Sequence, residues 1–181
     1  MPSKNTPALT SFRNLIIAIA SVLLLASCGS GTDSTSDGSI PGIRAQLKKD
    51  SVALQALQER YQTPLRNQFQ WCDSMLAFVP EDKVNEYFDV LNLAQAYLSQ
   101  FDETLPIMQK DMAYIQHQLD LLQKDIDTHY INDSLAAEYL NDEKASADTL
   151  HNRVLYFQDR LSQQDQALKK LKKNIGKVTT K

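Results

Sequence analysis

The chain has 181 residues, of which 43% are hydrophobic and 23% are charged, and its formal net charge at pH 7 is −3. That length fits one folded domain with a leader and a linker, and it is too short for several large independent cores. A mildly acidic balance disfavours nucleic acid as a partner, because binding to phosphates requires a basic surface.

Residues 1–27 have the features of an export signal. Lys4 and Arg13 precede an apolar run, residues 15–25, which is too short to span a membrane. The run ends in Leu25-Ala26-Ser27-Cys28, which resembles the lipobox of bacterial lipoproteins. That resemblance covers only the first thirty or so residues and implies cleavage before Cys28 and lipidation of its side chain. The alternatives are an uncleaved signal anchor and an ordinary secretory signal with a coincidental cysteine.

After Cys28, a polar stretch rich in glycine and serine runs to residue 42 and predicts a flexible tether, residues 28–42. By resemblance to the sorting rules of such lipoproteins, Gly29 does not look like an inner-membrane retention signal. We therefore expect lipid anchoring at the outer membrane of a diderm bacterium. The tether has no compact acidic run, which favours the periplasmic side over the cell surface.

Residues 43–175 contain no glycine, and apolar residues recur there at intervals of three and four. This period predicts amphipathic helices with a coiled-coil seam. The second helix, residues 80–127, shows the clearest pattern, and we expect Pro106 to kink it rather than break it. Its predicted core positions are Tyr87, Leu91, Ala94, Leu98, Phe101, Leu105, Met108, Met112, Ile115, Leu119, Leu122 and Ile126.

The other two helices are predicted over residues 43–79 and 133–175. In the first, the apolar register slips by one near Pro64, which indicates either local unwinding or a break into two helices. The third begins with Asp133 or Ser134 as the N-cap and ends at Gly176, before a basic tail at residues 176–181. Glu143 and Gln164 interrupt its apolar seam.

Short links between these helices predict antiparallel neighbours. The fold class is therefore all-α, an elongated antiparallel three-helix coiled-coil bundle occupying residues 43–175. It is similar to spectrin-like modules by pattern only, because no motif of a specific family supports the comparison.

Lysines crowd the C-terminal end, and no acidic residue interrupts them. One interpretation is a surface that binds an anionic polymer, a lipid headgroup or an acidic protein. The other is a solvated helix end that pairs with Glu81, Asp82, Glu86 and Asp89 of the second helix. The lysines concerned are Lys169, Lys170, Lys172, Lys173 and Lys177, followed by Lys181.

Asp followed by Ser or Thr, and then by an aliphatic residue or Thr, occurs more often than the composition of the chain predicts. These triplets resemble the sequon for O-glycosylation of exported proteins in one group of anaerobic diderm bacteria. The alternative is that they act as helix caps and polar helix faces. We expect Ser34 and Ser134 to be the best acceptors because both are predicted outside helices. The acceptor hydroxyls are those of Ser34, Ser51, Ser74, Ser134 and Thr149.

No constellation in the sequence indicates catalysis or a cofactor. The histidines at 117, 129 and 151 lack ligand partners at metal-site spacing, so no metal is expected. Cys72 lies on an apolar face and is interpreted as a buried thiol, with an intermolecular disulfide as the alternative.

The sequence thus favours a non-enzymatic coiled-coil lipoprotein of the cell envelope, with structural or protein-interaction roles. Two alternatives stay open: a module that grips peptidoglycan or another anionic polymer through its distal lysines, and a holdase-like assembly accessory. The expected partners are the membrane, through the lipid, and an envelope protein or wall polymer. Self-association also stays open.

Overall fold

The structure, a computed structural model, describes residues 38–179 as helices joined by short turns. Helix α1 spans Ile40–Leu57 and is followed by a π-helical turn, Gln58–Gln62. Helix α2 spans Thr63–Met75 and ends in a 3₁₀ turn, Leu76–Phe78. Because the backbone stays helical from α1 through α2, we refer to this stretch as the first long helix.

The second and third long helices are α3, Glu81–Asp127, and α4, Asp133–Thr179. On the first long helix, Arg44 contacts Asp120 of α3 and Arg66 contacts Asp102, while on α4, Arg153 contacts Asp111 and Phe157 contacts Phe101. In both pairs the residue numbers rise along one helix as they fall along the other, so α3 is antiparallel to both neighbours. The first long helix and α4 are parallel to each other, since Gln46 contacts His151 and Gln68 contacts Asp165. The all-α fold and its three-helix bundle are confirmed.

One continuous core lines the three long helices. Ten of the twelve core positions predicted for α3 are buried, and Met112 and Ile126 are partly buried. At its centre, Phe101 is fully buried and meets Phe157 edge to face, with ring centroids 5.3 Å apart. Such a buried edge-to-face pair stabilises the fold beyond the contribution from burying the two rings.

The register slip near Pro64 corresponds to the π-helical turn, so the first long helix unwinds locally and does not break. Pro64 has no N–H to donate, and the wider turn before it inserts one extra residue. As a result, Leu57, Tyr61 and Leu65 all lie in the core, although two successive intervals of four residues would carry a regular α-helix out of register with its seam. Helix α3 likewise continues through Pro106.

Several predicted boundaries are wrong. The first helix begins at Ile40, inside the predicted tether, because Ser39 caps it by accepting a hydrogen bond from the Gly42 N–H at 3.1 Å. Helix α4 runs past Gly176 to Thr179, so most of the predicted basic tail is helical. Its N-terminal cap is Asn132, whose side chain accepts from the Leu135 N–H at 2.9 Å, rather than Asp133 or Ser134.

The turn between α3 and α4 is closed by a residue that is not glycine. His129 has a φ of 55°, in the left-handed region. Its N–H donates to the Ile126 carbonyl at 3.0 Å, and the Tyr130 N–H donates to the Asp125 carbonyl at 2.9 Å. This Schellman arrangement satisfies the last carbonyls of α3 and reverses the chain.

We expect Phe101→Ala to lower the free energy of unfolding by about 3–5 kcal/mol, because the substitution leaves a cavity in a packed core. Phe78→Ala is the matched control, since Phe78 is 67% exposed, and it should change stability by less than about 0.5 kcal/mol. Urea unfolding followed by circular dichroism measures both. Equal effects of the two substitutions would contradict the observed core.

Candidate functional site

The C-terminal third of α4 presents a lysine face. Lys169, Lys173 and Lys177 follow one another at intervals of four and Lys170 lies beside them, so the four share one side of the helix. All four are exposed. The buried residues of this segment lie on the opposite side and are Leu168, Leu171 and Ile175.

Most of this lysine face lacks acidic partners. Among the described residues, only Lys169 of the four forms an ion pair, with Asp165 at 2.6 Å. The predicted pairing with acidic residues of α3 (Glu81, Asp82, Glu86, Asp89) is not found in the described part of the chain. There, Glu86 pairs with Lys83 of its own helix at 3.7 Å. The lysine face is therefore positively charged and open to solvent.

Lys172 belongs to a different surface. Its Nζ lies 4.9 Å from the centroid of the Trp71 ring on α2, a cation–π contact that fastens α4 to the first long helix. The neighbouring Cys72 is a free, buried cysteine. Burial raises the pKa of the Cys72 thiol, and the charge of Lys172 offsets part of that rise. This thiol is therefore shielded from solvent and less easily ionised.

The lysine face lies at one end of the bundle. At the other end, the beginning of α1 lies beside the first third of α4, since a side chain added at Gly38 would come within 3.8 Å of the Lys144 side chain. Far along the first long helix and α4, Cys72 approaches the Leu168 carbonyl at 4.0 Å. The beginning of α1 and the lysine face therefore occupy opposite ends of the bundle.

The predicted acceptor hydroxyls do not converge. Ser51, Ser74, Ser134 and Thr149 are all exposed and lie at separate places on the surface. The expectation that Ser134 lies outside a helix is wrong, because Ser134 is in the first turn of α4. Cys28, with the predicted signal peptide and most of the tether, lies outside the described residues, and so do Ser34 and Lys181.

A buried polar cluster joins α1 to α4, and the sequence interpretation missed it. Asp50 is 2% exposed, and its Oδ1 lies 2.8 Å from His151 Nδ1 and 3.2 Å from Gln46 Nε2. The other oxygen, Oδ2, is buried without a hydrogen-bond partner. The sequence does contain a sign of this cluster, because Asp50 stands where the heptad repeat places a core residue, between Leu47 and Leu54.

A second polar group lies between α3 and α4. Glu143 takes a seam position of α4, and its Oε2 is buried without a hydrogen-bond partner. Burial raises the pKa of Glu143 to about 7, with a further contribution from the nearby Asp142 charge. The pKa of Tyr114 on α3 is raised too, first by burial and then by the Glu143 charge.

A surface groove of about 480 Å³ lies between the first long helix and α4. Ala53 and Ala56 contribute small side chains to its walls, and Arg60 and Asp159 contribute charged ones. The small alanine side chains leave this groove open at the surface, whereas the buried side chains of Leu57 and Tyr61 fill the core at its floor. Across residues 38–179, no three potential metal-ligating side chains lie together.

No family model matches this chain, and neither the curated proteins nor the solved structures contain a significant match. Of the helices in the described region, none is both long and apolar enough to cross a membrane.

Glu143 should make stability depend on pH. Its pKa is about 7 in the folded chain and roughly 4.3 when unfolded, so the folded state binds the proton more tightly. The protonated carboxyl is accommodated at low pH, and stability falls as pH rises between these two values. We expect Glu143→Gln to exceed the wild type in unfolding free energy by about 1–2 kcal/mol at pH 8, after allowance for partial exposure, and by no more than about a third of that gain at pH 5.

Urea unfolding at both pH values measures this difference. Glu138→Gln is the matched control, because Glu138 is exposed on the same helix, and it should show no such dependence. A gain for Glu143→Gln that is equal at pH 5 and pH 8 would contradict the assignment.

Proposed function

We propose that this chain is a non-enzymatic lipoprotein of the cell envelope, anchored through Cys28, in which the helical bundle acts as a structural and protein-interaction module. The motif Leu25-Ala26-Ser27-Cys28 supports the anchor, and the polar stretch after it supports a tether. We place the protein at the outer membrane of a diderm bacterium because Gly29 does not resemble an inner-membrane retention signal, and on the periplasmic side because the tether has no compact acidic run.

The observation that carries the interaction role is the arrangement of the two ends of the bundle. Helix α1 starts at one end and the lysine face lies at the other. At 1.5 Å per residue, the 47 residues of α4 measure roughly 70 Å. A chain tethered through its N-terminal segment would hold the lysine face far from its attachment point.

A binding role for the lysine face is the second candidate, and one observation favours it. Lys170, Lys173 and Lys177 have no acidic partner among the described residues, so their charges are not neutralised within the bundle. A flexible, repeating anionic polymer such as the peptide-bearing cell wall could contact several of them together. Such binding would be electrostatic and would weaken as salt rises.

Cys28→Ser should abolish acylation. We expect a labelled fatty acid fed to the producing cells to enter the wild-type protein and Cys72→Ser, but not Cys28→Ser, because lipidation requires the Cys28 thiol. Cys28→Ser should also keep residues 1–27, which mass spectrometry of the intact protein detects. Label in Cys28→Ser, or a wild-type protein that is unlabelled and retains residues 1–27, would refute the anchor.

The lysine face is tested by cosedimentation with purified peptidoglycan. The triple variant Lys170→Gln, Lys173→Gln, Lys177→Gln should bind about tenfold more weakly, since three exposed ion pairs each contribute about 0.5 kcal/mol. The matched control removes three charges elsewhere, at Lys48, Lys49 and Lys83. If both triple variants bind as the wild type does, or lose binding equally, the lysine face is not the binding surface.

A further inference from the structure

The outward side of α3 carries apolar side chains at intervals of seven. Leu93, Ile107, Tyr114 and Leu121 share one heptad position, which Gln100 occupies between the first two. Leu93 and Ile107 are 50% and 48% exposed. Because seven residues complete almost two helical turns, these five side chains form one stripe about 42 Å long. We call it the α3 outer stripe.

The outer stripe is separate from the bundle core. Each of its residues follows a core position by two residues, as Leu93 follows Leu91, which turns it away from the buried seam. It borders α4, since Gln100 Oε1 accepts a hydrogen bond of 3.5 Å from the Tyr156 hydroxyl. A regular apolar stripe that the described bundle leaves about half exposed is typical of a second coiled-coil seam.

We propose that two copies of this chain associate through the α3 outer stripe in antiparallel orientation, about a two-fold axis at Ile107. The stripe is symmetric about that residue, with Leu93 and Leu121 each fourteen residues away. In this register, Leu93 meets Leu121 of the second copy, and Ile107 meets its own equivalent. Gln100 meets Tyr114 of the second copy, where an amide and a phenol can form a hydrogen bond.

The charged residues beside the stripe favour a second copy of this chain as the partner, in antiparallel orientation. Asp89 and Glu103 flank the first half of the stripe, and Lys110 and Lys124 flank the second half. All four are exposed, and none forms an ion pair with another described residue. Antiparallel pairing brings Glu103 next to Lys110 and Asp89 next to Lys124 of the second copy, each within one residue of exact alignment. Parallel pairing would instead place each of the four level with its own equivalent, so that these acidic and basic residues would not meet.

The self-association involves neither Cys28 nor the lysine face, so it stands independently of the proposed function. An interface related by a two-fold axis must be complementary to itself, and every stripe position meets that requirement in the antiparallel register. A different partner protein would not need acidic and basic residues placed symmetrically about Ile107.

Thiol-specific cross-linking of the full chain in its own envelope tests the pairing. Ile107→Cys should yield a covalent dimer with a short bifunctional maleimide, because the two copies of this residue face each other. Val52→Cys is the matched control, since Val52 is an apolar residue, 61% exposed on α1, and it should stay monomeric. The wild type, with its buried Cys72, gives the background. Ile107→Cys that behaves as Val52→Cys would overturn the proposal.

Direction is tested with Leu93→Cys and Leu121→Cys carrying different tags. In the antiparallel pair neither variant should cross-link with itself, whereas cells that produce both should contain a mixed dimer. A Leu93→Cys dimer formed alone would overturn the antiparallel register. Cross-links from Ile107→Cys to a different protein, without a self-dimer, would overturn the choice of a second copy.

Charge exchange provides an independent test in the Ile107→Cys background. Glu103→Lys or Lys110→Glu alone should lower the cross-linked fraction about fivefold, since each places like charges opposite each other twice per pair. The double exchange Glu103→Lys with Lys110→Glu should restore it. A double exchange that cross-links no better than the single ones would overturn the proposed register. Circular dichroism checks that these surface variants stay helical.

Discussion

The whole bundle depends on the burial of one continuous apolar seam from each of its three long helices. An isolated helix is only marginally stable in water, and most of the stability of a helix in a protein comes from packing of its apolar face. Removing the seam residues from water therefore holds the helices together and fixes their antiparallel order. The π-helical turn at Gln58–Gln62 serves the same constraint, because it restores the seam of the first long helix after the register slips.

Buried polar groups interrupt that seam at only a few points. Asp50 is almost completely buried, and its contacts with Gln46 and His151 tie α1 to a single position along α4. An apolar seam with a regular repeat can slide by one heptad at little cost, whereas a buried carboxylate loses its hydrogen bonds in any other register. Arg44 adds an exposed pair with Asp120 of α3, and Arg153 adds a partly buried pair with Asp111, and both favour the same alignment. The polar contacts thus determine the register of the helices, whereas the burial of apolar side chains supplies most of the stability.

The sequence predicts the parts of this fold that periodicity controls. Helix α3 was predicted at residues 80–127 and spans Glu81–Asp127, because an uninterrupted heptad pattern leaves few alternatives. Helix ends were predicted less well, since they depend on local hydrogen bonds. Gly176 stays inside α4 where a helix end was expected, and Asn132 caps that helix in place of its neighbours. The Asp50 cluster was missed because, in the sequence alone, a polar residue at a core position looks like a gap in the apolar seam. Only the structure shows that His151 lies opposite Asp50.

The same limit applies to the surface features. The lysine cluster is visible in the sequence, but its lack of acidic partners depends on which way α4 turns its lysines. The outer stripe of α3 was likewise hidden by the stronger core pattern two residues away. Both features become interpretable only when the buried side of each helix is known. Pairing of the lysines with acidic residues of α3, one of the two interpretations that the sequence left open, is not found among the described residues.

Antiparallel pairing through α3 has a geometric consequence for an anchored chain. The two copies of α1 would then start at opposite ends of an assembly that is roughly 70 Å long. The tether that we propose between Cys28 and Ser39 would, as a random coil, have a root-mean-square reach of roughly 20 Å. Two lipid anchors in one membrane would therefore require the pair to lie along the membrane surface rather than stand upright on it. Each lysine face would then lie beside the anchored end of the other copy, because the start of α1 and the lysine face occupy opposite ends of every bundle. Pairing thus changes what the lysines can reach, from a distant envelope polymer to ligands near the membrane that holds the anchors.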